Sequence, residues 1–493
     1  LAAVAALAAV FAAQARRGRG FGERAAAFID AERPRLAIGA IALLALALRL
    51  HDYALVPFHH ETADEYQHAW EGWHLLHEGV PAAWSTFPDR YPAGAIQDFR
   101  WFGDRYVVVR PYFDHPPLFS IPVGLFAALA GARHPLESDL PAMRLVPILL
   151  SVAGVFLLHR LARRYGAGER GALLAALVYA TLPILVVAHR LVKAESLMAI
   201  LFMGGILLAE RHVESSRPRD ALFAALLGGL SIWTKATGVA VPAVLVILLL
   251  ARGRRRAALL AAATAAGFLG LYVLYGAAYD FEVFGKVMAA QATTKWVSLD
   301  GLLDLLNGKI VVKPFGRGWY LWLLLCAGLA AFRRERALLL PIALYATLLA
   351  LTADSRVIYG WYRIPIYPFL CVAAGIYLDE MLREADLPRV FPFAAAAVAT
   401  GLVYAFRAHP YATAAESAFR AAAPIDFAQT KTAVALFALL ALAAFLPRWI
   451  RETPWTVRLA RGATAALFLL FLLANLATVR DLLGIYAATR GVQ

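Results

Sequence analysis

Residues 59–79 read HHETADEYQHAWEGWHLLHEG, which sets Glu61, Asp64, Glu65, Glu71 and Glu78 among His59, His60, His68, His74 and His77. Carboxylates and imidazoles this close together can take a proton from a hydroxyl nucleophile or ligate a metal. On a helix, Asp64 and His68 are four apart and share a face. The pair could therefore act as a general base with a neighbouring imidazole, or hold a divalent metal, although the spacing matches no recognised metal signature. A solvated helix face is the simpler alternative.

Four further stretches carry chemistry-bearing residues. Tyr112–Leu118 reads YFDHPPL, and its two prolines fix φ and start a helix abruptly, holding Asp114 and His115 rigidly. His189, Arg190, Lys193 and Glu195 crowd a short turn between apolar segments. Four ionisable groups there are costly unless they face a cavity or one another, so an ion pair of Glu195 with Arg190 or Lys193 is the plain alternative. Lys235 stands in the turn GLSIWTKATG, and Arg356, Tyr362 and Arg363 lie in RVIYGWYRIPIYP. Lone cations in such places suggest a phosphate or carboxylate partner.

The elements that must position these groups are membrane helices. The chain has 493 residues, 61% of them hydrophobic, against about 45–50% in soluble domains. Its mean hydropathy is +0.63. Apolar runs of membrane-spanning length recur, with none of the ten-residue alternation of a β-barrel. The net charge of +14 comes from arginine clusters between those runs, the pattern that orients membrane proteins rather than one that binds nucleic acid. Cys326 and Cys371 both fall within apolar runs and read as core thiols.

The positive-inside rule then gives an all-α polytopic membrane protein of about 13 transmembrane helices. Residues 1–35 form an arginine-rich cytoplasmic segment, of which 1–13 are apolar but too short to span and read as a trimmed or signal-like stretch. Residues 36–493 form the transmembrane domain. Spans are expected near 36–57, 143–161, 170–188, 196–210, 220–234, 237–251, 257–278, 318–332, 337–352, 361–379, 391–407, 431–446 and 462–479. Residues 58–116 become a long extracytoplasmic loop with an amphipathic helix over 62–78 lying on the membrane and aromatics at the interface. Residues 117–132 are too short to cross and read as re-entrant. Residues 279–317 make a cationic loop outside, suited to a lid. Every chemistry-bearing stretch falls on the extracytoplasmic face.

In their order and spacing these stretches resemble the GT-C membrane glycosyltransferases, in the branch of the lipid A aminoarabinose transferase and the protein O-mannosyltransferases. The resemblance rests on Asp64–Glu65 after the first span, Asp114-His115-Pro116-Pro117-Leu118, Arg144 and the RLARR end of the following span, Glu195, Trp233-Thr234-Lys235, and Tyr362, Pro365 and Pro368. It departs at Glu195, where the family often has Asp, and at Trp361, where it has Arg.

The resemblance implies inverting transfer of a sugar from a polyprenyl-phosphate donor to a lipid, glycan or protein acceptor at the extracytoplasmic face of the cell (inner or plasma) membrane. Asp64 would be the general base. Glu65, Asp114, His115 and Glu195 would complete the catalytic groups, and Lys235, Arg356, Tyr362 and Arg363 would bind the donor phosphate. His68, Arg190 and Lys193 would be substrate contacts. No cofactor is required, with a divalent metal at Asp64 and His68 left open. A transporter or flippase of lipid-linked sugars is the rival reading. It would need repeats and broken helices at the midplane, whereas these polar groups gather in outer loops.

Overall fold

The computed structural model describes residues 21–57, 64–101, 104–293, 336–352, 360–384 and 453–488, with single positions between 323 and 439. The chain is mostly helical. Its helices are α1 (Phe21–Leu50), α2 (Asp64–Glu78), α3 (Ser120–Leu129), α4 (Leu140–Arg164), α5 (Glu169–Thr181), α6 (Pro183–Ala188), α7 (Glu195–Ser215) and α8 (Pro218–Ile232). They continue with α9 (Ala240–Ala251), α10 (Arg255–Tyr279), α11 (Phe281–Thr293), α12 (Leu339–Thr352), α13 (Tyr367–Glu384) and α14 (Pro454–Ala488). Among the described residues, α4, α7, α10 and residues Pro454–Ala477 of α14 are long and apolar enough to cross a membrane. The span expected near 391–407, and nearly all of those near 318–332 and 431–446, lie outside the described residues. Leu259, Leu269, Leu271 and Leu274 of α10 remain exposed, as a helix facing hydrocarbon requires.

The segment from α2 to α3 differs from the expected interfacial loop in two ways. First, it contains a small antiparallel sheet of β1 (Ala83–Trp84), β2 (Ile96–Trp101) and β3 (Asp104–Val109), in the order β1-β3-β2. The fold is therefore not purely α. β2 and β3 pair from Ile96 opposite Val109 to Trp101 opposite Asp104.

Second, α2 does not lie on a membrane surface. Glu65 through Trp73 are all buried, because both flanks of the helix are covered. Trp70 meets Tyr106 edge-on at 5.6 Å, and Tyr106 in turn meets Trp84 at 5.8 Å, so these aromatics form a core under the sheet rather than an interface belt. The other flank packs against α3. There Gly72 and Gly124 cross so closely that a Cβ on Gly72 would stand 1.8 Å from the Ser120 carbonyl oxygen, and one on Gly124 would stand 2.2 Å from the Gly72 carbonyl carbon. Glycine at both positions is what lets the backbones meet. α3 has ten residues, about 15 Å of helix, too short to cross a bilayer. It buries Ser120, Val123, Gly124 and Ala127 and leaves Ile121, Leu125 and Leu129 exposed.

Buried arginines stitch the helix ends together. Pro183 ends α5 and supplies no N–H to the Tyr179 carbonyl. Arg49, at the end of α1, donates instead to the Tyr179 and Ala180 carbonyls at 3.3 and 3.0 Å. Arg144 of α4 grips Glu65 with two bonds, Nε to Oε1 at 3.0 Å and Nη2 to Oε2 at 2.8 Å. It also donates to the Tyr53 and Pro57 carbonyls, at 2.7 Å each. Glu65 further accepts the Val192 N–H at 3.0 Å. Both side chains of this pair are fully buried.

Removing one partner from such a pair leaves an uncompensated buried charge. Arg144→Met is therefore expected to cost about 3–5 kcal/mol. The double variant Glu65→Leu/Arg144→Met should recover part of that loss, read as thermal unfolding midpoints in detergent.

Candidate active site

Asp64 and Glu195 are the first residues of α2 and α7, where helix dipoles favour negative charge. Both face one small cavity of about 30 Å³, lined by Asp64, His68, His115, Lys193, Ala194, Glu195, Lys235, Trp361 and Tyr362. The cavity holds two matched pairs. Lys193 Nζ lies 2.6 Å from Asp64 Oδ2, and Lys235 Nζ lies 2.5 Å from Glu195 Oε1. Each ammonium also caps an aromatic face, Lys193 over Trp361 and Lys235 over Tyr362, both 4.1 Å from the ring centre.

Local structure explains how the lysines arrive. Lys193 sits in the turn between α6 and α7, four residues after its C-terminal cap His189. Lys235 is extended in a tight turn after α8. There Ser231 Oγ donates to the Gly238 carbonyl at 2.8 Å, and Gly238 packs so close that a Cβ would stand 1.9 Å from the Ser231 carbonyl oxygen. The Leu118 N–H donates to the Trp233 carbonyl at 3.1 Å, which joins this turn to the Pro116–Pro117 turn.

Protonation follows from these contacts. Burial pushes the Asp64 carboxyl up, but the Lys193 ammonium, with Lys235 and His68 behind it, outweighs burial and holds it below its ordinary value. Its side chain is 41% accessible, so the carboxylate is reachable. His68 is held well below its usual value, first by burial and then by His115, Lys193 and Lys235. The cavity therefore presents the Asp64 carboxylate and a neutral His68 imidazole. His68 and His115 stack at 5.4 Å.

Other expected site residues lie elsewhere. Glu65 is spent on Arg144 and does not line the cavity. Asp114 is buried behind it, accepting from Ser85 Oγ at 2.8 and 3.0 Å, from the Thr86 N–H at 2.8 Å and from Thr86 Oγ1 at 2.9 Å. Its role is to tie the segment after β1 to the Pro-Pro turn. Arg190 is fully buried and donates to the Leu48 carbonyl at 2.7 Å, and Arg363 is fully buried in the single turn Gly360–Arg363. Neither lines the cavity. Arg356 and Lys295, Lys309, Lys313 and Arg317 of the expected lid lie outside the described residues. Among the described residues, no three His, Cys, Asp or Glu side chains are grouped to hold a metal.

The sequence reading gave Trp361 no part in the site, noting it only as a departure. Its signal was the WY pair itself, two aromatics side by side that each receive one lysine.

A family model described as dolichyl-phosphate-mannose-protein mannosyltransferase matches residues 114–279. No curated protein matches the chain in sequence. The fold is similar to that of ArnT from Cupriavidus metallidurans in the apo state, with a TM-score of 0.55 and 17% identity over 92% of this chain and 78% of that one. It is similar to the same protein bound to undecaprenyl phosphate, with a TM-score of 0.54 and 17% identity over 94% and 78%. The arabinosyltransferase EmbB from Mycobacterium smegmatis gives a TM-score of 0.52 and 16% identity, over 93% of this chain and 42% of that one. The chain thus has a GT-C fold, resembles the transferases of that branch and is a membrane protein.

Asp114 provides a test of the supporting layer. Burial raises its carboxyl to about 6 from 3.8, against the pull of its Thr86, Ser85 and Tyr91 donors. The folded state therefore favours the protonated form, and that stability is full below about pH 4 and lost as pH rises through 6. Relative to Asp114→Asn, the wild-type unfolding midpoint should fall between pH 4 and 7, by an amount equivalent to about 3 kcal/mol.

Proposed function

We propose that this protein is a GT-C glycosyltransferase. It moves a sugar from a polyprenyl-phosphate donor to a hydroxyl acceptor at the extracytoplasmic face of the cell membrane, with inversion. The observation that carries this reading is the pair of lysine–carboxylate bridges facing one cavity in an apolar helical chain. Each partner has a use in such a transfer, and a structural ion pair alone would not leave one carboxylate open to a cavity.

The donor, a sugar phosphodiester, brings one negative charge and leaves as a phosphate monoester bearing more. Lys193 and Lys235 are the groups to meet it. As an acceptor oxygen attacks the anomeric carbon, the bond from that carbon to the phosphate oxygen breaks and its electron pair stays on the phosphate. The developing charge is stabilised by ammonium groups already oriented by Asp64, Glu195, Trp361 and Tyr362. The acceptor proton passes to Asp64.

Resting Asp64 is a weak base because Lys193 stabilises its anion. When a phosphate draws Lys193 away, that stabilisation falls and the carboxylate gains basicity. Base strength is thus coupled to donor binding, which restricts proton abstraction to the loaded site. Glu195 plays the corresponding part for Lys235 and remains the counter-charge that keeps the empty site neutral.

The fold likeness to a transferase bound to undecaprenyl phosphate supports a polyprenyl-phosphate donor.

Asp64→Asn should lower transfer by about 10²–10⁴-fold in proteoliposomes supplied with polyprenyl-phosphate sugars, with an unchanged elution profile. Lys235→Ala should weaken undecaprenyl phosphate binding, and Asp64→Asn should not. Undiminished transfer by Asp64→Asn would remove Asp64 as the base, and lipid-linked sugar crossing the bilayer without any new glycosidic product would replace the reading with transport.

A further inference from the structure

Behind the cavity runs a buried line of three side chains that the transfer chemistry above does not use. His68 Nδ1 lies 2.9 Å from Ser120 Oγ, and Ser120 Oγ lies 2.5 Å from Glu71 Oε2. Ser120 and Glu71 are fully buried, and His68 is nearly so. The line spans two helices and exists because α2 and α3 cross at Gly72 and Gly124. His68 and Glu71 are three apart and stand on one face of α2, and Ser120 at the start of α3 fits between them. With Nδ1 committed to Ser120, Nε2 is the ring nitrogen left for the cavity that His68 lines.

The protons in this line can be counted. Ser120 has one hydroxyl proton to give. If Glu71 were a carboxylate, that proton would go to Glu71, His68 would donate from Nδ1, and Nε2 would face the cavity bare, as a base. If Glu71 is a carboxylic acid, it donates to Ser120, Ser120 donates to Nδ1, and Nε2 carries the hydrogen.

The surroundings of Glu71 decide between the two. Among the described residues, its Oε1 is buried with no hydrogen-bond partner and no cation bonds to it. The charged or titratable groups that act on it or feel it are Asp114, Tyr112, Tyr272 and Tyr275, none of them positive. A buried carboxylate without a cation, with one oxygen unsatisfied and another acid nearby, is costly as an anion. Burial indeed pushes its carboxyl well above the ordinary range, with Ser120 opposing and Asp114 adding to the rise.

We propose that Glu71, held as a neutral acid, and Ser120 are positioning residues that fix His68 in the Nε2–H tautomer, so that the imidazole donates to a phosphate or sugar oxygen of the donor and does not compete with Asp64 as base. This deepens the glycosyltransferase reading and rests on it only for the identity of the ligand. The neutral imidazole adds a third donor beside Lys193 and Lys235 that keeps its hydrogen through the reaction. It also explains why an imidazole beside the reacting hydroxyl need not steal its proton.

The test is nitrogen NMR on ¹⁵N-histidine-labelled full chain in lipid nanodiscs, at neutral pH. His68 is one of 12 histidines, so its signals are assigned by their loss in His68→Gln. The expected spectrum has a protonated Nε2 and a bare Nδ1. Glu71→Gln should preserve it, since the amide N–H donates to Ser120 as the acid does, and should keep transfer within about twofold. Ser120→Ala should mix the two tautomers and lower transfer at least tenfold. Added undecaprenyl phosphate should shift Nε2 in the wild type.

A bare Nε2 with a protonated Nδ1 in the wild type overturns the proposal, and so does a tautomer unmoved by Ser120→Ala. An Nε2 unmoved by undecaprenyl phosphate overturns the assigned ligand. The wild-type spectrum decides even if a variant misfolds. Because the tautomer is read without turnover, a chain that shows the expected spectrum but transfers no sugar upholds the relay and sinks the transferase reading instead.

Discussion

The first turn of α2 is held by the buried pair of Glu65 and Arg144, and the cavity depends on that grip. Arg144 binds Glu65 with two bonds and uses its remaining donors on the carbonyls of Tyr53 and Pro57, which follow α1. Glu65 takes the Val192 N–H as well. One ion pair therefore joins the end of α1, the start of α2, the body of α4 and the turn before α7. Asp64 and Lys193 are the direct chain neighbours of Glu65 and Val192, so the same pair brings the acid and its lysine within 2.6 Å. In water such a pair would be worth little. Here, with both side chains at zero exposure, its loss strands a charge.

That arrangement explains what the sequence did and did not reveal. Ionisable residues are costly in an apolar helical chain, so Asp64, His115, Lys193, Glu195 and Lys235 stand out in the sequence, and the fold gathers all five at one cavity. Their partners were not readable. The nearby pairings open to Glu195 were Arg190 and Lys193, but it pairs with Lys235 across 40 residues, and Lys193 pairs with Asp64 across 129. Sequence distance favours local pairs only when the chain between them stays local. Here the turns of separate helix pairs converge on one end.

The acids show the same limit. Asp64, Glu65 and Asp114 look alike in sequence and differ in what the fold brings to them: an ammonium and a cavity, a buried guanidinium, and a ring of neutral donors. α2 departs from its sequence pattern for a related reason. Its polar residues suggest a face toward water, but the polar side is covered by α3 and by the segment from β1 onward, so His68 and Glu71 are interior. The sheet did leave a trace in the β-branched run Tyr106-Val107-Val108-Val109, but a loop rich in aromatics beside a membrane span points equally to the interface.

In the proposed transfer, the pairing of each lysine with a carboxylate would have a functional consequence. Two lysines without carboxylates would bind a phosphate tightly in every state, including the leaving monoester, and would slow its release. Pairing each lysine with a carboxylate means that a phosphate must compete for the ammonium, so only part of the Coulomb energy appears as ground-state affinity. The remainder becomes available as charge builds on the leaving oxygen, when the phosphate outcompetes the carboxylates most strongly. Interactions that strengthen toward the transition state accelerate a reaction, whereas uniform binding does not. The aromatic faces of Trp361 and Tyr362 would help by keeping each ammonium in place while its anionic partner changes.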